Sequence, residues 1–122
     1  MKDTVLLVED DDTLCELSLE MFKIIKTPLL VSQNPEEAER VFDQNKDKIA
    51  IIIFDMNLDD ATGVDVFNIL KEKGESFTAI LASGMFLEDD KQTYLDMGFS
   101  EVIAKPYNMA ELKRIIKAYI SL

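Results

Sequence analysis

Polar side chains stand directly after four apolar runs of this chain, and they are Glu9, Asp10, Asp55, Ser83 and Lys105. Each is ordinary by itself, since an acid or a serine at such a point is usually a helix cap or a turn residue. Together, three carboxylates, a hydroxyl and an ammonium could bind a divalent cation and a phosphoryl group. Crowded carboxylates raise one another's pKa, and a divalent cation removes that cost. An Asp carboxylate can also act as a nucleophile toward phosphorus.

The types of ligand present narrow the choice of metal. The chain has no histidine and a single cysteine, Cys15, so a Ser-His-Asp triad, a Cys-His pair and a His/Cys zinc site are all excluded. Oxygen ligands favour Mg2+, Mn2+ or Ca2+, and Mg2+ best suits a site that keeps bound water. The Lys105 ammonium would help that cation to neutralise an incoming phosphoryl group.

Five apolar runs are predicted to be buried strands. They cover Thr4–Val8, Leu29–Val31, Ile51–Phe54, Phe77–Ala82 and Glu101–Ala104. The third run is continuously bulky and apolar, as in a parallel strand that is buried on both faces. In an open α/β sheet, ligands bind at the carboxyl ends of the strands, and the polar residues fall there.

Helices are predicted after each strand. The first has an apolar face from Leu14 to Ile25, the second begins after Asn34-Pro35, the third covers Val64–Lys71, the fourth covers Glu88–Met97, and the last begins after Asn108. Strict alternation of five strands and five helices predicts a parallel sheet covered by helices on both faces. The length fits one domain spanning residues 1–122.

Charge and composition exclude several kinds of partner. The chain has 24 acids against 13 bases, a net charge of −11, which argues against direct binding to nucleic acid or to an anionic membrane. No apolar run approaches the roughly 18 residues that span a bilayer. The acids near the amino terminus predict no signal peptide. With the lone Cys15, these features predict a cytoplasmic protein.

The chain resembles the response regulator receiver domain family over almost its whole length. The matching segments are Leu6-Leu7-Val8-Glu9-Asp10-Asp11, Asp55-Met56-Asn57-Leu58 followed by Gly63, Ala82-Ser83-Gly84, and Lys105-Pro106. Each motif is weak by itself, but four in the expected order, one at each expected strand end, are specific. The resemblance implies a flavodoxin-like, doubly wound sheet with strand order 2-1-3-4-5, for which a member of this family is a standard example.

The resemblance also implies a function in two-component or phosphorelay signalling. Asp55 would accept a phosphoryl group from a histidine kinase or a histidine phosphotransfer protein. Lys105 would pair with that group, and Ser83 would move to bind it. The chain would be a signalling domain that catalyses only its own phosphorylation and dephosphorylation, and in that sense no enzyme.

The metal ligands are likewise implied by the resemblance. Asp10, Asp55 and the main-chain carbonyl of Asn57 would ligate Mg2+ directly, and Glu9 would act through water. The two acids that follow Asp10 inherit no role, and they are interpreted as acids of the first helical turn.

Some positions depart from the family pattern. Asp59 stands where the family often has proline, and both Asp59 and Asp60 are interpreted mainly as solvated loop. Val102 stands where many relatives carry a switch tyrosine or phenylalanine, which puts the usual aromatic rotation in doubt. Tyr107 is interpreted as a packing residue rather than as a substitute for that aromatic side chain.

Phe86 has two interpretations of about equal weight. It lies in the apolar stretch Met85-Phe86-Leu87. It either covers the fourth helix, or it flanks the phosphoryl group with Asn57 and controls the access of water. On the second interpretation, Phe86→Ala would change the rate of spontaneous dephosphorylation.

Other functions and the output surface stay open. Phe54-Asp55-Met56-Asn57 faintly resembles the start of a haloacid dehalogenase-type phosphatase, although Asn57 replaces the general acid. A receiver-like module that binds a partner without phosphorylation is a second alternative, and a structural α/β domain is a third. Output to a downstream protein or effector domain is expected from the fourth helix, fifth strand and fifth helix. The basic and aromatic residues there, either a docking patch or ordinary solvated positions, are Lys91, Tyr94, Lys113, Arg114 and Lys117.

Two further points of organisation stay open. Dimerisation through that same face is one alternative to a monomer. The end of the chain at Leu122 fits either a complete single-domain regulator or a fragment of a longer one.

Overall fold

Strands and helices alternate along the chain in the computed structural model, which describes residues 2–59, 61–84 and 88–120. The strands are β1 (Thr4–Val8), β2 (Leu29–Ser32), β3 (Ile49–Asp55), β4 (Thr78–Ser83) and β5 (Glu101–Ala104). The helices are α1 (Asp12–Ile25), α2 (Pro35–Asn45), α3 (Gly63–Lys71), α4 (Glu88–Met97) and α5 (Met109–Tyr119).

The five strands form one parallel sheet in the order β2-β1-β3-β4-β5. The buried side chains of α1 and α5 pack on one face of this sheet, and those of α2 and α3 pack on the other. Tyr94 of α4 packs on the same face as α2 and α3. Both faces of the sheet are therefore covered, which explains why the strand sequences are apolar throughout rather than alternating. The predicted flavodoxin-like architecture is confirmed.

The strands β3 and β4, which carry site residues at their ends, both end one residue later than predicted. The strand predicted at 51–54 begins at Ile49 and includes Asp55, and the strand predicted at 77–82 covers Thr78–Ser83. The reason lies in the pairing, because Asp55 remains in register with Ala82 of β4. Asp55 and Ser83 are thus the last residues of rigid strands and not the first residues of loops.

Side-chain caps fix where the helices begin. The Asp11 carboxylate accepts a hydrogen bond from the Leu14 N–H at 3.0 Å, so this predicted first-turn acid is the N-cap of α1. Asn34 and Asn108 cap α2 and α5 in the same way. Thr62 caps α3 as part of a capping box. The starts of α1 and α3 set the path of the chain just beyond β1 and β3.

An aromatic cluster holds the end of β3 in place. The fully buried Phe54 ring meets Phe67 and Phe99 edge to face, at centroid distances of 5.8 and 6.0 Å. Phe67 and Phe99 lie 4.2 Å apart. Such aromatic pairs contribute about 0.5–1.5 kcal/mol each beyond their buried area. Because Phe54 directly precedes Asp55, this packing also fixes the position of the Asp55 backbone.

Gly63 lets α3 begin against the end of β3. A Cβ at residue 63 would overlap the carbonyl oxygen of Asp55 and would lie 3.1 Å from the Cβ of Phe54. The Gly63 N–H also donates to the Met56 carbonyl at 3.0 Å. The close approach is therefore a backbone contact that no side-chain rotation can relieve.

We expect Gly63→Ala to lower the free energy of unfolding by about 1–3 kcal/mol, because the added methyl group displaces the end of β3 or the start of α3. Urea denaturation followed by far-UV circular dichroism measures this change. Gly84→Ala is the matched control, since a Cβ there meets nothing within 4 Å. Equal stability of the two variants would contradict the assignment of a steric role to Gly63.

Candidate functional site

The carboxyl edge of the sheet brings three carboxylates together. Ligand oxygens of Glu9, Asp10 and Asp55 all lie within 4.8 Å of one another. Glu9 and Asp10 follow β1, and Asp55 ends β3, so the direct pairing of β1 with β3 places them side by side. Residues 46 positions apart in sequence thus form one cluster because of the crossover between two adjacent parallel strands.

Lys105 is the cation that reaches this cluster from β5. Its Nζ lies 2.7 Å from Oε1 of Glu9 and 3.0 Å from Oδ1 of Asp55. All three side chains are largely buried, with exposed fractions of 17% for Lys105, 2% for Glu9 and 7% for Asp55. These are charge-assisted hydrogen bonds in a shielded place, so they are stronger than surface ion pairs.

Lys105 is held in place through β4. Its N–H donates to the carbonyl of Ser83 at 2.9 Å, and the Lys105–Pro106 peptide bond is cis. Ser83 is 2% exposed and ends β4 beside Ala104. The structure therefore places Ser83 and Lys105 as neighbours at the same edge of the sheet as the acids.

Each of the three acids accepts a backbone N–H. Oε2 of Glu9 accepts from Asp11 at 3.3 Å, and Oδ1 of Asp55 accepts from Asn57 at 3.4 Å. These two bonds are local, since donor and acceptor are two residues apart. Asn57 is exposed and follows directly on the end of β3, so its main chain lies next to the Asp55 carboxylate.

Asp10 takes its backbone donor from a different element. Oδ2 of Asp10 accepts from the N–H of Asp59, in the loop between β3 and α3, at 2.7 Å. The prediction of a solvated loop holds for the exposure of Asp59 but misses this contact of its main chain. No signal in the sequence could have found it, because any residue except proline has a backbone N–H. Asp60 lies outside the ranges that the structure describes.

The electrostatics of the cluster are those of an incompletely neutralised acid site. The pKa of Glu9 is raised to about 7: burial raises it most, the hydrogen bond from Lys105 lowers it in part, and the nearby Asp55 raises it again. Burial alone would lower the pKa of Lys105, but its hydrogen bonds to Glu9 and Asp55 outweigh burial and raise that pKa. Lys105 therefore stays charged, and one ammonium faces three acids.

The donor set of the cluster fits a hard divalent cation. All three ligand groups are carboxylates, which are the ligands that Mg2+ prefers, and Asp10 is half exposed, so water can complete the coordination. Burial is the main cause of the raised pKa of Glu9, and the nearby Asp55 adds to it, so a divalent charge would favour the ionised carboxylate against both effects. Asp10 and Asp55 would hold such an ion directly, with Glu9 close by.

Two other positions that the sequence analysis discussed, Val102 and Tyr107, pack in or against the hydrophobic core rather than in the acid cluster. Val102 is 5% exposed in the core. Tyr107 packs against the α1/α5 side of the core, and its hydroxyl lies 3.3 Å from Ser18 Oγ, which agrees with the packing interpretation. Burial raises the pKa of Tyr107. Phe86 lies outside the described ranges, and its role stays a prediction.

Comparison with known proteins identifies the family. The family model for the response regulator receiver domain matches residues 5–117. The chain therefore belongs to the response regulator receiver domain family, whose members serve two-component signalling.

Individual relatives agree with this assignment. The chain is 31% identical over 120 residues to the uncharacterised transcriptional regulatory protein YcbL of Bacillus subtilis, and the match covers 94% of this chain and 50% of YcbL. Thus the chain spans about half the length of this curated relative.

Solved receiver domains have the same fold. The signal receiver domain of a LuxO repressor protein from Vibrio parahaemolyticus superposes with a TM-score of 0.86 at 24% identity, covering 97% of this chain and 89% of that one. The receiver domain of Ssk1 from Saccharomyces cerevisiae, solved with the histidine phosphotransfer protein Ypd1, has a TM-score of 0.81 at 19% identity. That match covers 97% of this chain and 88% of the yeast one.

A membrane span requires a helix of sufficient length and hydropathy. Over the described ranges, no helix is both long enough and apolar enough to cross a bilayer.

The raised pKa of Glu9 predicts a pH-dependent stability in metal-free protein. Between its usual pKa of 4.5 and about 7, Glu9 holds a proton in the folded state that the unfolded state has released. Its contribution to stability is therefore complete below pH 4.5 and is lost as the pH rises through about 7. The free energy of unfolding of the wild type, minus that of Glu9→Gln, should fall over this interval when both are measured with EDTA present.

Added Mg2+ should reverse that trend. A carboxylate in a metal site must be deprotonated, so the thermal stabilisation by Mg2+ should be larger near pH 8 than near pH 5.5. Differential scanning fluorimetry across this range measures it. If the free energies of unfolding of the wild type and Glu9→Gln, both measured with EDTA, changed in parallel with pH, the raised pKa of Glu9 would be contradicted.

Proposed function

We propose that the chain is a phosphoacceptor in which Asp55 receives a phosphoryl group from a phosphohistidine donor in a Mg2+-dependent reaction. The observation that carries the proposal is the position of Lys105, whose Nζ bridges Glu9 and Asp55 within the three-carboxylate cluster. An ammonium 3.0 Å from the attacking carboxylate is well placed to receive the negative charge of a phosphoryl group bonded to that carboxylate.

The transfer is a balanced exchange of two bonds to phosphorus. A carboxylate oxygen of Asp55 forms a bond to phosphorus while the bond between phosphorus and the imidazole nitrogen of the donor breaks. The imidazole leaves with the electron pair of that bond and takes a proton from water. Such a reaction needs positioning and charge neutralisation more than covalent assistance from the protein.

Each group of the chain has a definite task in this reaction. Asp55 is held as the last residue of a buried strand, so the nucleophile is oriented before the donor arrives. Lys105 neutralises the developing charge, and the Ser83 hydroxyl is proposed to donate to a phosphoryl oxygen. Bound Mg2+, held by Asp10, Asp55 and the Asn57 carbonyl, would supply further charge neutralisation.

The two rival functions are less well supported. A haloacid dehalogenase-type phosphatase needs a second acid two residues after the nucleophile, and Asn57 stands there. A module that binds partners without phosphorylation has no need of a buried lysine between two acids, and burying such a set is costly unless a function retains it.

The donor is proposed to be a histidine kinase or a histidine phosphotransfer protein. The Ssk1 receiver domain, which has the same fold, was solved with a histidine phosphotransfer protein, and this supports a donor of that class. A reducing, cytoplasmic setting stays a prediction from the single cysteine, Cys15.

The output surface is proposed to be the face formed by α4, β5 and α5. Arg114 is already engaged there, since its guanidinium donates to Glu101 at 2.5 and 3.2 Å and to Glu111 at 3.0 and 3.1 Å. This leaves exposed Lys113 and Lys117 of α5 as cations for an acidic partner surface. A downstream protein, an effector domain or a second copy of the chain stay alternatives for the occupant.

Incubation with acetyl phosphate and Mg2+ should add one phosphoryl group to the wild type and none to Asp55→Asn, because the amide is not a nucleophile. Intact-protein mass spectrometry measures the product. The matched control is Asp47→Asn at an exposed carboxylate outside the cluster, which should be phosphorylated like the wild type. EDTA should abolish the reaction in both reactive proteins.

The rival functions give different results in the same experiment. Repeated turnover of a phosphate ester would favour a hydrolase. An unmodified wild type under conditions that phosphorylate a known receiver domain would favour a binding module and would refute the proposal.

A further inference from the structure

The loop between β3 and α3 reaches across to the acid cluster through its main chain. Within the described part of the chain, the hydrogen bond from the Asp59 N–H to Oδ2 of Asp10 joins residues 49 positions apart. Its length of 2.7 Å makes it the shortest of the three backbone bonds to the cluster, which otherwise measure 3.3 and 3.4 Å. A short N–H bond to a carboxylate is charge-assisted and directional.

Asp10 depends on this bond more than the other two acids depend on theirs. Glu9 and Asp55 are buried, and both are bonded to the Lys105 ammonium. Asp10 is only half buried, and the hydrogen bond that the structure gives its carboxylate comes from Asp59. A carboxylate on a short, half-exposed side chain otherwise exchanges rotamers freely, so its donor decides how it is oriented.

Hydrogen bonds that do not involve Asp10 also join the described residues at the two ends of this loop. Residues 57 and 62 form an antiparallel bridge, and the N–H of Leu58 donates to the Ala61 carbonyl at 3.0 Å. The N–H of Gly63 donates to the Met56 carbonyl at 3.0 Å. These two hydrogen bonds make up the bridge between residues 57 and 62, and neither involves Asp10. They hold Leu58, the residue before Asp59, so the position of the Asp59 N–H does not depend on Asp10 alone.

We infer that the Asp59 N–H is a positioning group that orients the Asp10 carboxylate for the divalent cation. It occupies Oδ2 and thereby leaves Oδ1 as the oxygen available to the cation. This inference rests on the proposed function, because it concerns the same metal site. Residue 59 acts through its main chain, so its carboxylate is not required and its backbone N–H is.

Asp59→Pro tests the inference, because proline has no N–H to donate. Loss of an outer hydrogen-bond partner of a metal ligand typically weakens affinity 10–100-fold, so we expect the Kd for Mg2+ to rise by about 10-fold. The matched control is Asp59→Ala, which removes the carboxylate and keeps the N–H, and it should bind Mg2+ within about 3-fold of the wild type. Isothermal titration of the three proteins with MgCl2 measures these constants.

Phosphorylation by acetyl phosphate should separate binding of the ion from chemistry. The rate for Asp59→Pro should be low at limiting Mg2+ and should recover to the wild-type rate at saturating Mg2+, because the nucleophile and Lys105 are untouched. A loss that persists at saturation would mean general damage to the site and would overturn the inference. So would an equal loss of affinity in Asp59→Pro and Asp59→Ala.

A second measurement does not require Asp59→Pro to fold. In metal-free wild type, the Asp59 amide proton should exchange slowly with solvent, and Asp10→Ala should remove that protection. The Leu58 amide, bonded to Ala61, is the internal control and should keep its protection. Unchanged protection of the Asp59 amide in Asp10→Ala would refute the contact.

The two proposals fail separately. A wild type that neither binds Mg2+ nor becomes phosphorylated refutes the proposed function. A wild type that does both, with Asp59→Pro indistinguishable from it, refutes only the role of the Asp59 N–H.

Discussion

Crowding of like charge at the carboxyl edge of the sheet is the constraint on which this protein depends. Three carboxylates share a space in which their ligand oxygens lie within 4.8 Å of one another, and the Lys105 ammonium bonds to two of them. The pKa of Glu9 is raised chiefly by burial and further by the nearby Asp55, and the hydrogen bond from Lys105 offsets only part of this. Removing a carboxylate from water costs several kcal/mol per ion, so the rest of the fold must supply stability to keep the acids together. A cluster with this excess of negative charge is stabilised by a divalent cation, which offsets the repulsion between the carboxylates.

The fold opposes this cost by fixing the backbone at the ends of β1 and β3, from which the acids project. The strands β1 and β3 are in direct register up to Val8 and Phe54, so the acids that follow cannot separate without breaking the sheet. Phe54 is locked by its aromatic neighbours, and Gly63 allows α3 to start against the Asp55 carbonyl. Repulsion between the carboxylates is therefore opposed by buried apolar area and by the hydrogen bonds of the strands, which lie outside the site.

Much of this arrangement could be predicted from residue types because parallel strands impose simple rules. The apolar runs mark the strands, and parallel pairing then brings Glu9, Asp55 and Lys105 to one edge. The exact ends of the strands were harder to predict from the sequence. A polar residue at the end of an apolar run does not reveal whether its backbone is still paired, and Asp55 does stay in register with Ala82. Contacts made by main-chain donors, such as the Asp59 N–H, leave no mark in a sequence at all.

Positions that depart from the family pattern are where the structure adds most. At Val102 a branched aliphatic side chain fills a core position, so an aromatic side chain cannot change its exposure there. Tyr107 supplies an aromatic ring nearby, but its hydroxyl meets Ser18 of α1 and its ring packs on the core, which ties the end of β5 to α1 rather than to solvent. At residue 59 the replacement of the ring nitrogen of proline by an N–H creates a donor that Asp10 uses. Tyr107 and residue 59 thus each connect the carboxyl edge of the sheet to a neighbouring element, Tyr107 through Ser18 of α1 and residue 59 through the loop before α3.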